Sequence, residues 1–124
     1  MIFGVGTDII EVDRMEKLLS RGRPYLETIF TQLEIEYCEN KNRRAEHYAA
    51  RFAAKEAFLK ALGTGWRDGL GFSDIEISND KQGKPQIQLF GEAKERIQEN
   101  QIQRISVSLS HIKEMAIAVV IVEK

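Results

Sequence analysis

The sequence contains very little cysteine and histidine. Cys38 is the only cysteine among 124 residues, and there are only two histidines. A lone cysteine cannot form an intrachain disulfide, which is typical of a protein from a reducing compartment. Glu36 and Glu39 flank Cys38 and would raise the pKa of its thiol, so we expect no cysteine nucleophile. No cysteine–histidine cluster of the kind that would indicate zinc is present.

Long apolar runs are also missing. The longest is Met115–Val122, whereas a transmembrane helix needs about 20 apolar residues. The first apolar stretch is short, interrupted by glycine and followed by acidic residues, so we expect no signal peptide. These features predict a cytoplasmic protein that does not enter a membrane.

The sequence has no strong excess of charge of either sign. Its 18 lysines and arginines nearly balance 19 aspartates and glutamates, which gives a net charge of −1. Such a balance argues against a general nucleic-acid binder, although basic residues are concentrated locally. Local basic surface on a nearly neutral chain favours a discrete anionic partner. The length is that of a single domain, residues 1–124, with a real hydrophobic core.

The pattern of residues predicts an α+β fold in which a mainly antiparallel sheet packs against a long alanine-rich helix. Capping-box spacings at Asp13–Glu16 and Thr31–Glu34 predict two helix starts, and Gly63 is expected to end the long helix. The strands are expected near 2–12, 74–78, 86–90, 104–110 and 115–122. The last is apolar throughout, so it needs cover on both faces, from a central position or a subunit interface.

The long helix, predicted over 44–62, carries charges beside a broad face of alanines. Glu56 and Lys60 lie at that face and are either an ordinary ion pair or ligand-binding groups. Arg51 and Lys55 lie roughly on the opposite side, where they either bind an anion or form a solvated face.

Asp8 follows Gly4 and Gly6 at the end of the first strand. The glycines would let the backbone and the carboxylate approach a ligand, although an aspartate in this position also commonly caps a turn. Asp8 and Glu56 together provide two carboxylates on separate elements. Hard oxygen ligands of this kind suit Mg²⁺.

The two histidines differ in context. His111 ends a strand of alternating serines, and it is either a site residue or a turn residue bonded to local backbone. His47 has no evident partner and is expected at the surface. A serine hydrolase built from Ser110, His111 and Asp8 is rejected, because adjacent strand residues point to opposite faces and no nucleophile-elbow glycines flank Ser110.

Several short motifs together resemble the holo-(acyl-carrier-protein) synthases, the small 4′-phosphopantetheinyl transferases of bacterial fatty-acid synthesis. The matching residues are Gly4-Val5-Gly6-Thr7-Asp8-Ile9-Ile10-Glu11 with Arg14, Ile29-Phe30-Thr31 with Glu34, Arg51-Phe52-Ala53-Ala54-Lys55-Glu56-Ala57 with Lys60, Gly63-Thr64-Gly65, Gly83-Lys84-Pro85 and Ser110-His111. They occur in the family's order and span nearly the whole chain.

The resemblance implies transfer of the phosphopantetheine arm of coenzyme A to a serine of apo acyl carrier protein, with release of 3′,5′-ADP. It implies that Asp8 and Glu56 hold Mg²⁺ and that Lys60 offsets charge on the leaving group. The residues implied to line the nucleotide and its 3′-phosphate are Arg51, Gly63, Gly65, Lys84, Pro85 and His111. Family members are trimers whose sites are shared between subunits, so a homotrimer is expected.

Arg14, Lys17 and Arg21 follow a helical spacing that places them on one side of the first helix. The stripe is either a solvated face or a docking surface for the acidic acyl carrier protein. Two other functions stay open from the residues: a non-catalytic module that binds a nucleotide or an acidic partner, and a Mg²⁺-dependent phosphohydrolase. The first would treat Glu56 and Lys60 as a simple ion pair, and the second would consume coenzyme A without a carrier.

Overall fold

The structure is a computed structural model and describes residues 1–64 and 71–124. Its helices are α1 (Val12–Leu19), α2 (Arg23–Leu26), α3 (Gln32–Glu39), α4 (Arg44–Leu62) and α5 (Gly91–Glu99), with a short 3-10 helix at Phe72–Asp74. The strands are β1 (Ile2–Glu11), β2 (Ile75–Asn79), β3 (Pro85–Leu89), β4 (Arg104–His111) and β5 (Met115–Glu123). Both sheets are antiparallel, one ordered β1-β5-β4 and the other the β2-β3 hairpin. The α+β expectation is therefore confirmed.

Strand β5 occupies the centre of the larger sheet. It pairs with β1 on one side and β4 on the other, so its backbone is bonded along both edges. Ala116, Ala118 and Val120 are buried on the side that faces α4. Met115 and Ile117 alternate with them and are each 42% exposed. The chain itself therefore covers one face of this apolar strand and leaves much of the other open.

Helix α4 is buried on nearly all sides rather than along one stripe. It packs against β1 and β5 on one side and contacts α1, α3, β2 and β4 on others. Alanines at most of these contacts allow the neighbours to come close. The helix ends as expected, because Gly63 takes the left-handed conformation with φ +79° and its N–H donates to the carbonyls of Leu59 and Lys60.

Gly4 and Gly6 form the contact between β1 and α4. A Cβ atom on Gly4 would overlap the carbonyl oxygen of Ala61, and one on Gly6 would overlap that of Ala57. The backbones of strand and helix therefore touch directly. The expectation that these glycines admit a ligand was wrong, because the space beside them is filled by α4.

The two predicted capping boxes have different outcomes. Thr31 and Glu34 form one, with the Thr31 N–H donating to Glu34 Oε1 at 2.9 Å and the Glu34 N–H donating to Thr31 Oγ1 at 3.4 Å. The box at Asp13–Glu16 was wrong, since α1 begins at Val12 directly after β1. The Val12 N–H donates to the Glu114 carbonyl at 2.8 Å, so the end of the sheet satisfies the start of this helix.

Cys38 belongs to the core. It is fully buried, and burial raises the pKa of its thiol to about 12, with Glu34 and Glu39 contributing in the same direction. The expected unreactive thiol is confirmed, although burial outweighs the neighbouring carboxylates as the cause. Across residues 1–64 and 71–124, every helix is too short or too polar to cross a bilayer.

Candidate active site

The edge where β1 meets α4 brings Asp8 and Lys60 together. Lys60 Nζ donates to Asp8 Oδ1 at 3.1 Å and to the Thr7 carbonyl at 3.0 Å. The Asp8 side chain is 18% exposed and that of Lys60 is 56% exposed, so the pair is reachable from solvent. Direct backbone contact at Gly6 positions Asp8 this close to the helix.

Glu56 lies one helical turn before Lys60 on α4 and is half-buried. Residues four apart share one side of a helix, so Glu56 faces the same edge as Lys60. Within the described residues, no group of three or more His, Cys, Asp or Glu side chains is arranged to hold a metal. A cation at this edge would therefore draw on Asp8 and Glu56, and such a pair fits Mg²⁺, which commonly takes one or two protein carboxylates.

Arg51 lies deeper in the protein, between α3 and the β2-β3 hairpin. It is only 3% exposed, its Nη2 donates to Asn79 Oδ1 at 2.8 Å, and its guanidinium carbon lies 3.9 Å from the centre of the Tyr37 ring. No hydrogen-bond acceptor for Arg51 Nε is found among the described residues. The expectation of a solvated face was wrong for Arg51, which is oriented by packing.

Asn79 connects Arg51 to the turn that carries Lys84 and Pro85. Its Nδ2 donates to the Gly83 carbonyl at 2.9 Å, and Asn79 is paired with Pro85 across the hairpin. Asp80 Oδ1 accepts from the Lys84 N–H at 2.9 Å and shapes the same turn. Lys84 and Pro85 line a groove of about 420 Å³ between the hairpin and β4.

His111 is bonded to a distant residue rather than to local backbone. Its Nδ1 lies 2.9 Å from Oε1 of Glu46, a buried carboxylate whose Oε2 also binds Arg43 Nε at 3.1 Å. A ring nitrogen bonded in this way leaves Nε2 as the atom available to a ligand. The alternative of a turn histidine bonded to its own neighbourhood was wrong.

His47 is part of this arrangement and not an isolated surface residue. Its ring centre lies 5.1 Å from that of His111 and 5.8 Å from that of Tyr37, both at edge-on angles. Burial, followed by His111, Arg51 and Lys41, lowers the pKa of His47. The earlier expectation of a surface histidine without partners was therefore wrong.

A continuous series of contacts thus joins Arg51, His111 and Pro85, three of the residues predicted to line the nucleotide. Arg51 reaches His111 through Tyr37 and His47, and it reaches Pro85 through Asn79. The residues that sequence reasoning missed are Tyr37, Glu46, His47 and Asn79. In the sequence, the only local indication of Glu46 was an acidic residue near the start of the long helix. The only local indication of Asn79 was an asparagine before the turn.

The two groups of residues lie on opposite sides of α4. Arg51 and Lys60 are nine residues apart, which is about 13 Å along the axis and half a turn around it. One chain therefore presents the acidic edge of Asp8, Glu56 and Lys60 in one direction and the Arg51 side in the other.

Gly63 directly follows α4. Gly63 is exposed, and a Cβ there would meet no atom within 4 Å, so its role in this structure is to end the helix. Gly65 lies outside the described residues.

Lys55 and Glu34 form an ion pair inside the protein. Both side chains are 0% exposed, and Lys55 Nζ lies 2.6 Å from Glu34 Oε1. Burial raises the pKa of Glu34 and lowers that of Lys55, while their mutual attraction opposes both effects. The anion-binding or solvated role considered for Lys55 was wrong, since the Phe72 and Ile29 carbonyls and Glu34 accept all three of its hydrogen bonds.

The basic stripe lies on the exposed side of α1. Arg14 and Lys17 are exposed on this helix, and Arg21 follows its end, where its guanidinium lies 4.2 Å from the Tyr25 ring. Arg14 borders an open, largely apolar groove of about 400 Å³. The other residues that line this groove are Leu18, Tyr25, Thr28, Ile29, Phe52 and Phe72.

Comparison with known proteins gives one family. Residues 4–120 match the model of the 4′-phosphopantetheinyl transferase superfamily. The chain is 49% identical to a holo-[acyl-carrier-protein] synthase of Geobacter sp. (strain M21), and the match covers 100% of both sequences.

Solved structures agree with this result. The chain superposes on the holo-[acyl-carrier-protein] synthase of Neisseria meningitidis with a TM-score of 0.91, 36% identity and 100% coverage of both chains. It superposes on the Bacillus anthracis enzyme in complex with CoA (3′,5′-ADP) with a TM-score of 0.82 and 40% identity, over 100% of this chain and 98% of the other. The chain belongs to the 4′-phosphopantetheinyl transferase superfamily and, within it, to the holo-[acyl-carrier-protein] synthases.

Proposed function

We propose that the protein transfers the 4′-phosphopantetheine arm of coenzyme A to a serine of apo acyl carrier protein and thereby supports fatty-acid biosynthesis. The serine oxygen forms a bond to phosphorus, the bond to 3′,5′-ADP breaks, and the hydroxyl proton is released. The observation that carries the proposal is the Asp8–Lys60 contact at 3.1 Å, with Glu56 on the same side of α4. Carboxylates and a cation at one edge suit phosphoryl transfer.

Asp8 and Glu56 are the residues we propose for Mg²⁺. Two carboxylates offer the hard oxygen ligands that this ion prefers, and they leave room for ligands from a substrate. When bound, Mg²⁺ supplies positive charge to the pyrophosphate of coenzyme A. The carboxylates themselves would fix the cation to β1 and to α4.

Lys60 is proposed to stabilise negative charge on the departing 3′,5′-ADP. Its ammonium is held by the Thr7 carbonyl as well as by Asp8, so contacts within residues 1–64 and 71–124 use two of its three donors and leave the third for an anion. A preoriented cation in this place acts on charge that develops during the reaction.

The nucleotide is proposed to bind along the Arg51 side, through Arg51, Lys84, Pro85 and His111, with Gly63 and Gly65 in the loop near the adenosine. The contacts through Tyr37, His47 and Asn79 support this, because they hold the Arg51 and His111 side chains in fixed positions. The superposed Bacillus anthracis structure contains CoA (3′,5′-ADP), which is the ligand expected here.

The acidic edge and the Arg51 side lie on opposite sides of α4. A homotrimer with shared sites would bring the two together at each site. A coenzyme A molecule that lies between two subunits can contact the acidic edge of one and the Arg51 side of the next without passing around the helix. The outward face of the larger sheet supports such an assembly. Val5 and Ile9 are 54% and 60% exposed there, beside Met115 and Ile117, and form an apolar surface suited to burial between subunits.

The acidic acyl carrier protein is proposed to dock on the basic stripe of Arg14, Lys17 and Arg21. The groove beside Arg14, which we call the docking groove, adds apolar contact area to this charged surface. Opposite charges would steer the carrier, and the groove would hold it.

The test is the intact mass of an apo acyl carrier protein after incubation with this protein, coenzyme A and Mg²⁺. We expect a gain of one phosphopantetheine arm, which should be absent with EDTA or with Asp8→Ala. Unchanged carrier with intact coenzyme A would contradict the proposal and favour a binding module. Coenzyme A consumed without carrier modification would instead indicate a phosphohydrolase.

A further inference from the structure

One buried ammonium connects the two walls of the docking groove. Lys55 Nζ donates to the Ile29 carbonyl at 2.7 Å and to the Phe72 carbonyl at 3.0 Å. Ile29 precedes α3 and Phe72 begins the 3-10 helix, so these walls come from parts of the chain far apart in sequence. Phe52, one turn before Lys55 on α4, lies between them.

Glu34 holds the ammonium in place and extends the connection to a third element. Its Oε1 accepts from Lys55 Nζ at 2.6 Å and from the Thr31 N–H at 2.9 Å, and its Oε2 accepts from the Ile77 N–H at 2.8 Å. The start of α3, strand β2 and the 3-10 helix therefore meet at one ion pair that is shielded from solvent.

The buried pair of Lys55 and Glu34 is an unfavourable way to stabilise the fold alone. A buried ion pair must overcome the desolvation of both charges, and apolar residues of similar volume are often at least as stabilising. What an apolar residue cannot do is bond two backbone carbonyls at once and so fix the distance between them.

We propose that Lys55 is a positioning residue for carrier docking, which sets the spacing of the Ile29 and Phe72 walls of the docking groove. Its side chain is fully buried, so it acts through the walls and without touching the carrier. The inference rests on the proposed function, in which the carrier docks in this groove.

The test is steady-state transfer by Lys55→Met/Glu34→Gln, which removes both buried charges together. We expect KM for the carrier to rise about tenfold, because loss of the bonds to both carbonyls releases the walls. KM for coenzyme A should change less, by about twofold at most. Arg51 shares this side of α4, but its bond to Asn79 does not involve Lys55 or Glu34. Lys94→Met, which removes an exposed lysine from α5, is the control and should leave both constants unchanged.

Several outcomes would overturn the inference. A folded double variant with an unchanged KM for the carrier would do so, as would equal increases for both substrates, which indicate a general structural effect. Arg14→Glu separates the role of Lys55 from docking in this groove. If it raises KM for the carrier while the double variant does not, only the role of Lys55 is lost. If Arg14→Glu also has no effect, docking in this groove is wrong and the inference fails with it.

Hydrogen exchange on the unmodified protein gives a test that does not depend on the variant folding. The Phe30 N–H, bonded to the Leu26 carbonyl, reports on one wall, and the Ile77 N–H, bonded to Glu34, reports on the strand tied to the other. Walls held by one ion pair should open together, with the same free energy for both amides. Clearly different opening free energies would overturn the proposal.

Discussion

Lys60 Nζ donates to the Thr7 carbonyl at 3.0 Å and to Asp8 Oδ1 at 3.1 Å, so the ammonium is attached both to a charged group and to a neutral one. The carbonyl bond remains available when the Asp8 carboxylate engages a cation. The lysine can therefore stay at the edge throughout a reaction in which the charge around it changes.

Lys60→Met should lower kcat by about 10²- to 10³-fold, because a preoriented charge that stabilises the leaving group is lost. KM for coenzyme A should change little, since the proposed nucleotide contacts lie on the other side of α4. The measurement is the initial rate of carrier modification by intact mass. Lys60→Arg, which keeps the charge, should recover part of the rate, and a loss confined to KM would contradict the assigned role.

His111→Ala should weaken coenzyme A binding through the 3′-phosphate. We expect KM for coenzyme A to rise at least about tenfold, which is typical of the loss of one charge-assisted hydrogen bond. KM for 3′-dephospho-coenzyme A should hardly change, because it lacks the group that His111 is proposed to bind. Glu46→Gln keeps the His111 ring but weakens the bond that residue 46 makes to its Nδ1. This variant should therefore show a smaller rise in KM for coenzyme A. Equal losses with both substrates would show that His111 does not read the phosphate.

Arg14→Glu should raise KM for the carrier far more than KM for coenzyme A. The substitution places a negative charge where an acidic partner is proposed to dock, and the penalty should shrink as salt is added. Lys94→Glu changes the net charge by the same amount at a residue outside the groove lining and is the matched control. Similar effects from the two substitutions would indicate bulk electrostatics rather than docking at α1.

Gly6→Ala should lower the free energy of unfolding by about 3 kcal/mol, since the added methyl overlaps the Ala57 carbonyl and must push β1 away from α4. Gly71→Ala is the matched control. Gly71 has φ −116°, and a Cβ there would approach only Ser73 Oγ, at 4.0 Å. Urea unfolding of both variants measures the difference, and equal stabilities would mean that the strand and helix separate without cost.

Stability should decrease as the pH falls below 6.5, in part because of His47. Burial and the neighbouring His111, Arg51 and Lys41 lower its pKa in the folded protein, while Glu46 opposes them. Between 6.5 and that lower pKa the unfolded chain binds the proton more readily than the folded one, so protonation favours unfolding.

His47→Phe keeps a ring between Tyr37 and His111 but removes the titration. We expect it to lose less stability than the unmodified protein between pH 7 and pH 5, as measured by urea midpoints. Parallel losses would show that His47 does not contribute to the acid sensitivity.

Features that depend on neighbouring residues could be predicted from the sequence. The Thr31–Glu34 box and the end of α4 at Gly63 require only groups within one turn of each other, so their spacing is enough to identify them. Strands β2 and β3 were also expected near 74–78 and 86–90, and they are found at Ile75–Asn79 and Pro85–Leu89. The capping box predicted at Asp13–Glu16 was wrong because the N–H at the start of α1 donates to the Glu114 carbonyl. No local sequence pattern indicates that contact.

Features that depend on several distant segments could not be predicted. Periodicity shows which residues share a side of α4, but not that α3 and the 3-10 helix cover the side with Lys55. The same limit applies to the contacts of Tyr37, His47 and His111, which come from three separate elements. Family motifs supplied the residues of the candidate site, and the structure supplied the contacts between them.

The backbone contact of Gly4 and Gly6 with α4 has a consequence for the evolution of the family's chemistry. Elsewhere in a protein, the separation of two layers changes as core side chains grow or shrink over generations. Here the peptide units themselves set the separation as long as positions 4 and 6 remain glycine. Sequences can therefore drift widely around this junction while the separation between the strand that carries Asp8 and the helix that carries Lys60 stays constant.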